Sequence, residues 1–593
     1  MALDIEDYAL IGDCETAALV GKDGSIDWLC WPDFSSPACF AALLGTGENG
    51  RWLLGPRQPV KKVTRRYQNQ TLILETEFET ATGLLLLIDF MPVRETHSDV
   101  VRIVRCLSGK VPVQMELCIR FDFGRTVPWT GEQQGSRWTA AAGTGVVYLR
   151  TQQEVRIERD RATAEFTLNA GEQRSFVLTH TRPREKPPRR INVAKALGDT
   201  QRFWRKWCAN NTYDGPWSDC VERSLITLKA LTYRPTGGII AAPTTSLPEY
   251  FGNGRNWDYR FCWLRDAALT LDSLLSVGFR KEAEAWQEWL LQAVGSDVRG
   301  LQIMYGVHGE RHLPECELPW LQGYRRSKPV RMGNAASEQV QLDVYGEVAD
   351  AIVRMKRAGI QCDPRLLRLQ RDLTNQVVSI SRRPAAGIWE ERGAGKHYTY
   401  SKAMVWLALH HGVEDLQGTE APVWRIARDR LYRQICRRGF NRKLRSFVQS
   451  FDSDVLDASV LLLPIFGFLP FTDERIKSTI DVIQRKLGRD GFIYRLPRTS
   501  KKDRESAFLA CSFWMVENLV GAGRRDDAEK LLARTMSCRN DVGLLAEEYD
   551  PSAKRLMGNF PQALSHIALI NACRALASPP TLGAKPLPSS PHS

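Results

Sequence analysis

The sequence predicts a multidomain β + α protein, an N-terminal antiparallel β-sandwich followed by an (α/α)₆ barrel. Three observations predict it. Short β-like runs separated by turns fill residues 1–185, a Pro-rich basic breaker interrupts them, and helical periodicity takes over from about residue 216. At 593 residues the chain exceeds one ordinary domain. We divide it into the sandwich (1–185), a linker with a helix (186–215), the barrel (216–577) and a disordered tail rich in Pro and Ser (578–593).

In the first part, Ala17–Lys22 and Ser25–Trp31 flank Asp23-Gly24, a strong hairpin signal. Further strands are expected at Leu72–Thr80, Leu84–Met91, Val100–Cys106, Val113–Phe121, Gly145–Arg150, Val155–Glu158, Ala164–Leu168 and Ser175–Thr179. Many alternate apolar and polar residues, as strands with one buried face do. Nothing inside this domain proposes chemistry, so it reads as a structural or interface domain. Arg182–Arg190 (R-P-R-E-K-P-P-R-R) is the breaker, and a linker helix is expected over Ala194–Ala209.

Beyond it, helices are expected near 217–234, 263–276, 280–294, 336–357, 363–380, 401–412, 421–438, 454–463, 471–486, 505–521, 525–537 and 561–577. These twelve helices would form six hairpins, the number that closes two concentric rings. A helical solenoid is the alternative, but no repeat period supports it. The connecting loops are too long and too rich in Trp, Tyr and Gly to be mere connectors.

Composition excludes several functions. The chain is 43% apolar and 25% charged, and no stretch approaches the roughly 20 apolar residues of a membrane helix. The opening residues lack the basic and apolar regions of a signal peptide, so a cytoplasmic protein is expected. The 14 cysteines are scattered, with no C-x-x-C pair, and read as free thiols rather than disulfides or a zinc site. A net charge of +13 would suit a nucleic-acid binder, but the arginines are dispersed and no nucleic-acid motif accompanies them. The oligomeric state stays open, a homo-oligomer included.

Four loops mix aromatic rings with charged groups. Gly387–Trp406 puts Trp389 beside Glu390 and Glu391, and Gly543–Pro551 carries Glu547 and Glu548 just before a helix that Pro561 opens. Asn253–Asp266 interleaves Trp257, Tyr259 and Trp263 with Asp258, Arg260, Arg265 and Asp266. Rings for the C–H face of a sugar, with carboxylates and guanidiniums for its hydroxyls, make that mixture a sugar-binding one. A structural ion-pair cluster at a helix start would have the same composition. Met304–Trp320 holds His308 and His312 at a metal-ligand spacing, but Gly309 and Pro314 break the helix that spacing needs, so no metal is expected. Two carboxyls on different loops of one cavity are what glycoside hydrolysis requires, one to give a proton and one to act on water or sugar. A Trp beside the first would raise its pKa toward that of an acid at neutral pH. No G-x-S-x-G, Walker or dinucleotide motif competes.

The chain resembles glycoside hydrolase family 15, the glucoamylase and bacterial trehalase family, over nearly its whole length. The resemblance rests on Tyr8–Pro32, N-W-D-Y-R-F-C-W-L-R-D, G-N-A-A-S-E-Q, G-I-W-E-E-R, A-F-L-A-C-S-F-W, L-A-E-E-Y-D-P and G-N-F-P-Q-A-L-S-H, all in order. It implies the same sandwich and barrel, and inverting release of glucose from α-glucosides without a cofactor. By it, Glu390 is the general acid and Glu547 the general base. Arg265 and Asp266 would hold the non-reducing glucose, with Trp257, Trp263 and Trp389 as ring contacts. Glu391 would bind the sugar beyond the cleaved bond, and Arg495 would line the same pocket. Glu505-Ser506-Ala507 departs from the Glu-Gly-Ala that relatives often carry, which bears on that loop and not on the acids. The missing export signal and starch-binding module favour trehalose, with glucoamylase-like cleavage of maltooligosaccharides as the alternative. A silent sugar-binding scaffold and a phosphorolytic enzyme on a similar barrel are the remaining readings. Retention of both acidic pairs argues against each.

Overall fold

The computed structural model describes residues 2–578 apart from 132–137, 144, 159, 253, 417 and 499–504. Nearly all of the tail, and Asn253 at the head of the first aromatic loop, lie outside the described residues.

Strands run from Tyr8–Gly12 to Gln173–Thr181, and every pairing among them is antiparallel. One 21-residue strand, Ser98–Cys118, joins two sheets. Its first half pairs with Gly83–Phe90 and Gln173–Thr181, its second half with Arg51–Pro56 and Arg161–Asn169. The sequence reads there as two strands, because Leu107–Lys110 is exposed and carries Gly109 at φ +72°. Instead of turning back, the chain bends and crosses to the other sheet, a corner of the kind that sandwiches use. The Asp23-Gly24 hairpin forms as expected, with Gly24 at φ +82°. Tyr8–Gly12, Ala17–Gly21 and Ser25–Cys30 are buried along their whole length. One sheet face meets the sandwich core and the other meets the helical part, where Trp28 donates its indole N–H to the Pro243 carbonyl at 2.8 Å.

After the helix Val193–Cys208, twelve α-helices follow among the described residues, close to the predicted places. Leu264–Leu275, Asp343–Arg357, Thr399–Asp415, the turn Ala458–Ile465, Leu509–Gly521 and Ala563–Ala577 touch in that order, and the last touches the first. They form a closed inner ring. Ser218–Ala230, Lys281–Val294, Pro364–Ile380, Ala421–Gln434, Glu474–Leu487 and Arg525–Met536 form the outer ring. Burial explains the order. Thr399–His411 and Leu509–Val516 are buried on every side, as inner helices must be, whereas Pro364–Ile380 and Glu474–Leu487 carry a single apolar stripe. Inner neighbours approach closely: a Cβ on Gly346 would stand 2.1 Å from the Met404 carbonyl oxygen, so only glycine fits there. No helix among the described residues is long and apolar enough to cross a membrane.

Candidate active site

The long loops that lead from outer to inner helices gather at one end of the barrel, where the inner helices begin. They enclose a cavity of about 490 Å³. Trp257, Trp263, Arg265, Asp266, Trp389, Glu390, Glu391, Arg495 and Glu547 all line it, so residues almost 300 positions apart in the chain share one space.

Glu390 sits just inside the turn after Trp389, at φ +56°. A non-glycine residue in the left-handed region costs of order 1–3 kcal/mol and persists only where the surroundings impose it. Here its N–H donates to the Gly387 carbonyl at 3.0 Å, and its own carbonyl accepts from the Gln339 amide at 3.1 Å. Its carboxylate accepts from the Trp263 indole at 2.8 Å, with the Arg265 guanidinium 3.6 Å away. Burial pushes this carboxyl up to about 7, against the opposing pull of Arg265 and the indole. Arg265 also pairs with Asp266 at 3.1 Å and donates to the Ile388 carbonyl at 3.2 Å.

Glu547 is buried and accepts the Tyr259 hydroxyl at 2.7 Å. Burial, and then the charge of Glu249, hold its carboxyl above the ordinary carboxylate range, while Tyr259 and Arg495 pull it back. Gly558, at φ +76°, makes this placement possible, since a Cβ there would lie 2.6 Å from Glu547 Oε2. Arg495 is the hub beside it, paired with Glu249 and Glu505 at 2.8 Å and with Glu548 at 2.9 Å. Glu548 thus points away from the cavity into this buried cluster, and the lining includes Glu547 but not Glu548. Trp389 is fixed by its N–H to Asp457 at 2.9 Å and by edge contact with Phe508, ring centroids 5.4 Å apart.

One sequence reading needs correction. Asp258 and Arg260 were candidates for sugar hydroxyls, but neither lines the cavity. They form a fully buried ion pair at 2.7 Å, and Arg260 donates to the Ser36 carbonyl at 2.7 Å, tying the loop to the sandwich. The loop is extended, so successive side chains point to opposite sides, and Trp257 and Tyr259 face the cavity while Asp258 and Arg260 face away. The histidines of Met304–Trp320 lie in loop packing or at the surface: His308 meets Asp33 at 3.4 Å, and His312 is exposed. Among the described residues no group of three or more His, Cys, Asp or Glu is placed to hold a metal ion. Among the lining residues that sequence reasoning left without a role are Tyr259 and Glu249. Tyr259 sat among the named aromatics, whereas Glu249 carried no local signal.

Paired carboxyls in an aromatic cup at the loop end of a double-ringed barrel suit the cleavage of a glycosidic bond, the chemistry of a glycoside hydrolase. The comparisons agree. Residues 215–574 match the model of glycosyl hydrolases family 15, to which the chain belongs, and residues 1–180 match a trehalase-like N-terminal domain. The chain is 36% identical to a trehalase of Mycolicibacterium smegmatis, covering 96% of this chain and 90% of that one. It is 32% identical to a trehalase of Thermoplasma volcanium, covering 96% and 93%. A bacterial glucoamylase solved with acarbose has the same fold, with TM-score 0.68 and 12% identity over 97% of this chain and 94% of that one.

Proposed function

We propose that the protein is an inverting α-glucosidase whose substrate is α,α-trehalose, with Glu390 as general acid and Glu547 as general base. The observation that carries this reading is the meeting of the two carboxyls in one cavity, Glu547 buried and Glu390 half-buried, each on its own hydrogen-bond donor. Similarity to trehalases over almost the entire chain supports the choice of substrate.

In this account Glu390, held protonated by burial, gives its proton to the glycosidic oxygen as the bond to the anomeric carbon breaks. The oxocarbenium-like carbon is then met from its other face by a water that Glu547 deprotonates. Arg265 and Asp266 hold the glucose that is attacked, and Trp263 and Trp389 bound its pocket. Glu391 binds the departing glucose, and Arg495 keeps the wall beside Glu547 in place. An inverting pair stands roughly 6.5–9.5 Å apart to admit that water. Residues 216–577 would form the catalytic unit, with the sandwich steadying the Trp257–Tyr259 loop through Arg260.

The test is a product assay on trehalose, maltose, maltotriose and isomaltose. Free glucose formed fastest from trehalose supports the reading. Faster turnover of maltotriose would make the enzyme a maltooligosaccharide glucosidase, and glucose 1-phosphate formed only with phosphate would make it a phosphorylase.

A further inference from the structure

Trp257 lines the cavity, yet its ring is covered by cations rather than left open. The guanidiniums of Arg331 and Arg392 lie 4.6 and 4.5 Å from its centroid. Glu315 ties both together, 3.2 Å from Arg331 and 2.7 Å from Arg392, and also accepts the Ala335 N–H at 3.1 Å. Arg331 in turn donates to the Gly254 and Asn256 carbonyls at 2.8 and 3.0 Å, on the segment that carries Trp257. The indole N–H is committed to Glu249 at 3.2 Å. Three loops are therefore clipped together at the rim of the cavity through one carboxylate.

The position of this clip follows from the chain. Glu390, Glu391 and Arg392 are consecutive and all line the cavity, Arg392 with half of its side chain exposed. Resting on the assignment of Glu390 and Glu391 above, we propose that the Glu315–Arg392–Trp257–Arg331 clip is a chain-length gate that closes the cavity beyond the second sugar. Trp257 is then part of a wall, not a stacking platform, and α-glucosides longer than two units meet it. Glu315 touches no substrate and acts by holding Arg392 and Arg331 over the ring.

Calorimetric titration of maltose, maltotriose and maltotetraose into Glu390→Gln, with and without Glu315→Gln, tests the gate free of turnover. Trehalose binding to the parent serves as the control. Loosening the clip is expected to raise maltotriose affinity relative to maltose by about tenfold, the scale on which one pocket contact discriminates. Arg392→Ala, checked for native circular dichroism, should do the same. An unchanged length ratio in both variants, or a parallel loss for every sugar, overturns the gate while leaving the hydrolase reading intact. Failure of the parent to bind any α-glucoside, trehalose included, overturns both.

Discussion

Tyr259 donates its hydroxyl to Glu547 at 2.7 Å, from a loop 288 residues away in sequence. A hydrogen bond to a carboxylate favours its ionised form, the form a base must have. Tyr259→Phe should therefore lower kcat/KM for trehalose by roughly 10- to 100-fold, the equivalent of a bond to a charged group. It should also move the pH optimum upward, which a purely structural effect would not do.

The two carboxyls themselves carry the largest expected effects. Glu390→Gln and Glu547→Gln should each reduce kcat by on the order of 100- to 10,000-fold with the thermal transition preserved. The roles separate with α-glucosyl fluoride, whose leaving group needs little protonation. Glu390→Gln should recover much of its activity on it and Glu547→Gln should not. Equal defects on both substrates would contradict the assignment.

Glu249 sets the pH range. Activity needs Glu547 ionised and Glu390 protonated. It is lost at low pH, where both carboxyls are protonated, and at high pH, where both are ionised. Burial raises Glu390 to about 7 and Glu547 further, to about 8, so the two share one proton over that range and the profile of kcat/KM should be a narrow bell between them, its limbs belonging to the pair and not to either residue. Glu249→Gln removes a negative charge that adds to burial in raising Glu547, so Glu547 should ionise at lower pH and the optimum should move down. An optimum that stays in place would show that Glu249 is not part of the tuning.

Gly558 tests the steric argument. Alanine there would put a methyl 2.6 Å from Glu547 Oε2 at a backbone φ of +76°. A displacement of about 1 Å at a reacting group costs on the order of 100-fold in rate, so Gly558→Ala should lose about that much in kcat. Trehalose affinity in the Glu390→Gln background should change little.

The Asp258–Arg260 pair tests the domain junction. Both side chains are fully buried, and Arg260 reaches the sandwich through the Ser36 carbonyl. Asp258→Asn leaves a buried guanidinium uncompensated, a loss of about 3–5 kcal/mol, so the thermal transition should fall clearly. An unchanged Tm would mean that the junction does not depend on this pair.

Much of this was legible in the sequence, for stated reasons. The barrel could be read because inner helices are apolar all round and outer ones are striped, as in Leu509–Gly521 against Glu474–Leu487. That Glu390 and Glu547 line one cavity was legible from two acidic pairs beside rings taken together with the family resemblance, since either pair alone would fit a charged loop as well. Which of two neighbouring acids faces the cavity was not readable from composition. Glu548 differs from Glu547 only by strand alternation, which sends it to Arg495. The same alternation hid the true role of Asp258 and Arg260. Glu249 and Glu315 act through partners more than 70 residues away, Arg495 and Arg392, so no local pattern marks them. The long strand Ser98–Cys118 was divided in the reading because an exposed Leu-Ser-Gly-Lys has the composition of a turn.

The most direct test of the central claim is proton NMR of the first glucose released from trehalose, recorded before mutarotation. Attack by a water activated at Glu547 on the face opposite Glu390 inverts one anomeric carbon and leaves the other untouched. The account predicts α- and β-glucose in equal amounts, and release of α-glucose alone would contradict it.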